Sequence, residues 1–115
     1  MKTVNNMTLE IEKLQNCIRA FCEARSWDQY HNPKELAIGI ITEAAELLDH
    51  FRFKSEAQMQ ELFKSPEKKA AIEEELADVF YFVLRFAQMN DIDLSQALEK
   101  KLAKNELKYP VEKAK

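Results

Sequence analysis

EEELADVFYFVLRFA, residues 73–87, starts on three glutamates and continues as an apolar run broken only by Asp78 and Arg85. Upstream, Ser65-Pro66 supplies a helix cap and a proline suited to the first helical position, so the stretch belongs to a helix running to about Met89. At 1.5 Å per residue that helix is on the order of 35 Å long. From Leu76 to Ala87 it is apolar nearly all the way round, and such a helix needs neighbours on several sides. Yet Glu75 stands on the face that holds Ala71, Ile72, Val79 and Phe82, and Asp78 lies one turn further on. The pattern asks for core there and the sequence supplies acid.

Outward from this helix, the rest of the chain also reads as helical. Leu9, Ile11, Leu14, Ile18, Phe21 and Cys22 recur at mainly three- and four-residue spacing between about Thr8 and Arg25, which marks an amphipathic helix. Asn32-Pro33 with Glu35 has the layout of an N-cap, an N1 proline and a reciprocal capping box, opening a second helix to about Phe51. Ser55 with Gln58 caps a short third helix. Asp93 with Gln96 forms another capping box, and the last helix closes before Pro110, because the residue preceding proline resists the α conformation. Four substantial helices with short connections predict an all-α, four-helix bundle-like protomer. A single layer of that size leaves part of the long helix wet, so the expectation is an obligate homo-oligomer, at least a dimer.

Composition agrees with this class. The 115 residues are one domain's length, 46% hydrophobic and 32% charged, with one glycine and three prolines, which points away from disorder and from turn-rich β folds. The formal net charge of −3 offers a polyanion no overall attraction, and no basic stripe exists beyond the last helix, so a DNA or RNA polymer is disfavoured as a partner. Cys17 and Cys22 form neither a disulfide framework nor a zinc pattern and fit reduced thiols. The N-terminus lacks an apolar signal core and no apolar run approaches the ~20 residues needed to span a bilayer, so the expected setting is cytoplasmic, without a membrane.

The second helix repeats the acidic anomaly. Glu43 shares an apolar stripe with Leu36, Ile40 and Leu47, and Glu46 is one turn beyond it. Two ExxE/D pairs therefore project from two helices. Buried carboxylates are costly and repel one another, so something positive should hold them. Nearby bases are few: Arg85 on the helix that carries Asp78, and His50 one turn beyond Glu46. An all-oxygen set suits a hard cation such as Mg²⁺ or Mn²⁺, whereas di-iron bundles use ExxH pairs and zinc prefers nitrogen and sulfur. Pattern alone leaves two readings open, a metal site and an ion-pair network.

Three stretches, RSWDQYHNPKELAIGIITEAAELLDHFRFK (25–54), EEELADVFYFVLRFA and KLAKNELKYP (101–110), resemble the all-α nucleoside triphosphate pyrophosphohydrolases of the MazG type, especially small members related to the dCTP pyrophosphatases. The order of the acidic pairs and the flanking WxxxHxPK and KNxxKYP segments make the resemblance specific. It implies that Glu43, Glu46, Glu75 and Asp78 bind Mg²⁺, with Mn²⁺ as the alternative. It further implies hydrolysis of a (deoxy)nucleoside triphosphate to monophosphate and pyrophosphate, in the service of nucleotide-pool sanitation, by a dimer or tetramer with sites between subunits. Glu43 or Glu46 is the candidate to orient or deprotonate the attacking water.

Substrate contacts follow from the same two sources. Lys101, Lys104 and Lys108 recur along the last helix, and Lys101 and Asn105 fall beside Leu94, Leu98 and Leu102, on or near the inward stripe. The resemblance places Lys101 and Asn105, then Lys104 and Tyr109, near the triphosphate, with Lys54 as a further candidate. Trp27, Phe53 and Phe82 are candidates to stack on a nucleobase, and His31 to contact phosphate or base. Relatives carry tryptophan where Phe53 stands, some carry histidine at Ile18, and the larger members have an extra acid where Thr42 precedes Glu43. A rival reading is a catalytically silent helical oligomer that binds nucleotide or a protein partner, with its acids tied up in ion pairs.

Overall fold

The computed structural model describes the backbone of residues 2–114 and the side chains of residues 10–112, and every described element is helical. At its centre is the long helix, α4 (Pro66–Met89). Ser65 starts it by accepting from the Lys68 N–H, and Pro66 occupies the first turn, where its missing N–H costs nothing. Before it come α1 (Lys2–Ala24), a 3₁₀ turn (Asp28–Tyr30), α2 (Pro33–Asp49) and α3 (Glu56–Lys64); after it come α5 (Leu94–Lys108) and a single turn, α6 (Val111–Ala114).

The principal seam lies between α2 and α4. Gly39, the only glycine in the chain, sits inside α2, where it costs about 1 kcal/mol relative to alanine. Its reason is close approach: a Cβ there would lie 2.5 Å from two carbons of the Phe82 ring. The bare backbone lets that ring lie flat against α2. With Gly39 opposite Phe82 and Glu43 opposite Glu75 and Asp78, the two helices run antiparallel. α1 and α3 flank α4 on other sides, while α5 makes its main contact with α1. Buried apolar residues gather at these crossings: Cys22, Leu36, Leu62, Ile72, Leu84 and Ala87. The Cys22 Sγ meets the Tyr81 hydroxyl at 3.2 Å, and Phe51 stacks on Phe63 to tie the end of α2 to α3.

Several local expectations are met and several shift. The α1 segment extends back to Lys2, since residues 2–7 hold neither glycine nor proline to stop it; the Leu9 side chain lies outside the described residues. α2 ends at Asp49 rather than Phe51, closed by turn hydrogen bonds from Phe51 and Arg52 to Leu48 O, before Phe53 adopts a left-handed φ of 62°. Asn32 and Asp93 each accept from the N–H three residues on, but the full reciprocal box forms at Ser55–Gln58.

The four substantial helices and the short third one all form, but a four-helix core is not what the fold presents. The short α3 also packs on α4, so the helical count is five plus a terminal turn, and α5 buries none of its residues. The reason is that periodicity assigns a stripe to a face without supplying what covers it: Leu98 and Leu102 remain more than half exposed. The radius of gyration is 17.3 Å, against about 13 Å for a compact chain of this length. The accessible surface of 9118 Å² exceeds by about 2,600 Å² what a folded monomer of this mass presents. A groove of about 530 Å³ along α4, lined by Leu76, Ala77, Val79, Phe80 and Val83, is part of that apolar excess. No helix among the described residues is long and apolar enough to cross a membrane.

Candidate active site

The antiparallel seam brings the two acidic pairs face to face. Carboxylate oxygens of Glu43, Glu75 and Asp78 lie within 4.8 Å of one another. Glu43 and Glu75 are half-buried, and one oxygen of each, Oε2, is shielded from solvent without a hydrogen-bond partner. A shielded carboxylate oxygen with no donor leaves a desolvation cost uncompensated. Glu46 stands outside this trio, exposed, but within hydrogen-bonding reach of both Glu43 and Glu75.

Crowding shows in the protonation of these groups. A carboxyl–carboxyl hydrogen bond with Glu46, followed by burial and the charges of Glu46 and Asp78, pushes Glu43 up to about 7. Glu75 is raised too, first by burial and then by Glu46 and Asp78. Like charges gathered in a partly desolvated place favour the protonated form.

Three ion pairs exist among the described residues, Arg52–Asp49, Lys64–Glu61 and Arg85–Asp28, and none includes any of these four acids. The ion-pair network that the pattern left open is therefore not what holds them. His50, half-buried, sets its ring edge-on to Phe51 and forms no ion pair with Glu46. Arg85, read from sequence as a base available to Asp78, turns away: its nitrogens go to Asp28, to His31 Nδ1 at 2.9 Å and to Gln88 Oε1 at 2.7 Å. The acidic set, all oxygen with two orphaned atoms and no ion pair among the described residues, fits a hard divalent ion such as Mg²⁺ or Mn²⁺.

Other candidates separate into two groups. Trp27 and His31 come together, ring centroids 6.4 Å apart and edge to face, with Phe21 on the far side of Trp27 at 5.5 Å. Phe82 lies between that pair and the acids, its ring committed on one side to Gly39 and edge-on to Tyr81. Phe53 and Lys54 sit beyond the end of α2, Phe53 97% exposed and Lys54 on a separate cleft with Gln58, Glu61 and Lys68. On α5, Lys101, Lys104 and Tyr109 are exposed and Asn105 is half-buried; the expected inward stripe is open, so one chain alone does not bring these residues to the acids. Sequence reasoning missed Asp28, Gln88 and Gly39. Of these only Gly39 carried a signal, a lone glycine in the middle of a helix.

The protein is thus an all-helical fold with paired carboxylates facing one another across an antiparallel seam. Comparison with known proteins places it further. The MazG-like family profile matches residues 38–115, and the chain belongs to that family. It is 32% identical over 101 residues to dCTP pyrophosphatase 1 of Rattus norvegicus, and 30% identical over 100 residues to that of Homo sapiens. These alignments cover 88% and 87% of this chain but 59% of each relative. A pyrophosphatase from Archaeoglobus fulgidus has the same fold, with a TM-score of 0.82 and 37% identity over 88% of this chain and 93% of the other.

Proposed function

We propose that the protein hydrolyses nucleoside or deoxynucleoside triphosphates to the monophosphate and pyrophosphate, with a divalent cation, Mg²⁺ or Mn²⁺, held by Glu43, Glu75 and Asp78 together with Glu46. The observation that carries this reading is the trio of carboxylates with two buried, partnerless oxygens and, among the described residues, no ion pair to any of them. The family match and the similarity to a dCTP pyrophosphatase and to an archaeal pyrophosphatase support this substrate class. When bound, the cation neutralises phosphate charge and lowers the pKa of a coordinated water.

The chain's own residues do the rest. Glu43 and Glu75, anchored on opposite helices, fix where the charged end of the substrate lies. Glu46, exposed and adjacent to both, is the residue that would accept the proton of the attacking water. The elements of water divide across the Pα–O–Pβ bridge: one oxygen joins phosphorus, the bridge breaks, and pyrophosphate leaves with the bridging or attacking oxygen according to which phosphorus is attacked. Trp27 and His31, grouped at the other end of the seam, supply a flat surface for the base, and removal of non-standard nucleotides from the pool is the role such chemistry serves.

A second copy of the chain is the partner that the uncovered surface calls for. The apolar groove on α4 and the bare leucine stripe of α5 belong to a chain whose whole surface exceeds that of a folded monomer by about 2,600 Å², against the roughly 800 Å² per partner that a stable interface buries. Assembly on these faces would cover α5 and give Lys101, Lys104, Asn105 and Tyr109 a route to an acidic site. Sedimentation of the wild type against Leu76→Glu tests this, with a dimer or larger species expected for the former and a shift toward monomer for the latter.

Incubation with a panel of nucleoside triphosphates, with Mg²⁺ or with chelator, tests the activity. Monophosphate and pyrophosphate in equal amounts, only with the cation, are expected. Release of diphosphate and inorganic phosphate, or no turnover of any nucleotide, would refute the proposal.

A further inference from the structure

Arg85 is fully buried, and each of its three nitrogens meets a side chain. Two of the partners lie more than fifty residues away in sequence, at the two ends of one short segment: Asp28 opens the 3₁₀ turn and His31 follows its last residue. The guanidinium therefore spans the turn like a strut. Trp27 directly precedes the turn, its N–H donating to Cys22 O at 3.0 Å, and Asn32 follows His31 as the cap of the acid-bearing α2.

The bond to His31 carries chemical information. Arginine has donors and no acceptor, so the Nδ1 that meets Arg85 Nε must present its lone pair. The neutral ring then keeps its proton on Nε2, which is left free to donate elsewhere. Burial and the Arg85 charge hold His31 below its ordinary value, with Asp28 opposing. Protonation would set an N–H against an N–H beside a buried cation.

Along α4, Arg85 lies seven residues from Asp78, about 10 Å at the helical rise, with Phe82 between them. A ligand whose anionic end rests at the acids and whose flat end extends along the seam arrives at Trp27 and His31. We propose that Arg85 is a positioning residue for nucleotide binding: its guanidinium clamps residues 28–31 and fixes His31 as the Nε2–H tautomer, so that Trp27 and His31 form a rigid wall for the base. This rests on the nucleotide-hydrolysing function proposed above.

Two variants separate positioning from mere support. Arg85→Lys keeps a positive charge for Asp28 and loses the Nε–H that holds His31. It should raise KM for the preferred nucleotide about tenfold while leaving kcat within about twofold, the mark of lost ground-state and transition-state binding alike. His31→Gln, whose amide can accept from Arg85 and donate outward, should keep most of the affinity that His31→Leu loses. Two readings need no turnover. Wild-type ¹⁵N spectra should show His31 with Nδ1 unprotonated and Nε2 protonated. Emission anisotropy of Trp27, the only tryptophan, should fall in folded Arg85→Lys. The opposite tautomer in the wild type, or a folded Arg85→Lys protein with unchanged KM and unchanged Trp27 emission, overturns the proposal. So does a His31→Leu protein that binds as the wild type does. A wild type that turns over no nucleotide defeats the proposed function instead, and the tautomer and emission results then still decide whether Arg85 positions the wall.

Discussion

Two charged clusters sit along α4, and they are built in opposite ways. At one end the Arg85 guanidinium is entirely buried, and Asp28, His31 and Gln88 occupy its nitrogens. At the other, Glu43, Glu75 and Asp78 converge while two of their oxygens are shielded and partnerless. A buried charge that the protein satisfies by itself belongs to the architecture. One that it leaves unsatisfied is the opening that the proposed cation would fill.

The sharpest way to break this contrast is to neutralise one member at each end. Glu43→Gln or Asp78→Asn should cost at least about a hundredfold in turnover, the scale on which removal of a key electrostatic group acts. The same change should raise the melting temperature of the metal-free protein, because it relieves repulsion; scanning calorimetry with chelator reads this. Arg85→Met should do the reverse for stability, lowering it by about 3 kcal/mol in denaturant titration, near the low end for a broken buried pair because Asp28 is half in water. If both substitutions destabilise alike, the acids are a satisfied network and the contrast fails.

Next in size is Gly39→Ala. The added methyl must displace the Phe82 ring, an overpacking cost of about 1–3 kcal/mol partly offset by removal of a helical glycine. Net destabilisation of about 1 kcal/mol, relieved by a smaller residue at 82, is expected, together with weaker Mg²⁺ affinity by calorimetric titration as the carboxylates are moved apart.

A further effect is in pH. Glu43 is raised in the folded chain to about 7, from an unfolded value near 4.5. Its contribution to stability is therefore full below about 4.5 and is lost as pH rises through about 7. Metal-free protein should melt at progressively lower temperature over that window, saturating Mg²⁺ should flatten the trend, and Glu43→Gln should reduce it. His31 adds the opposite slope: lowered in the fold, it supports stability above about 6.5 and withdraws it as pH falls below that. Loss of the slope in His31→Gln would assign it.

What the sequence made legible was local. Asn32, Ser55, Ser65 and Asp93 announce helix starts because a cap acts within four residues. The acidic pairs stood out because helical periodicity places Glu43 and Glu75 on apolar faces, and facing helices turned that periodicity into proximity. Arg85 was misassigned for a corresponding reason: its real partners, Asp28 and His31, are reached across a loop, and spacing along one helix says nothing about them. The α5 stripe was read as inward because amphipathicity defines a face, whereas among the described residues that face is left largely uncovered. Gly39 could have been read, since an interior glycine in a sequence with no other asks for a close contact.

Cys22 and Cys17 lie five residues apart on α1 yet meet different fates, one sealed against the Tyr81 hydroxyl and one exposed. A thiol reagent should thus titrate one group at once and wait for the other. The waiting time clocks how often the α1–α4 crossing breathes, and because Trp27 hangs from the Cys22 carbonyl, it also times the loosening of the surface proposed to meet the base.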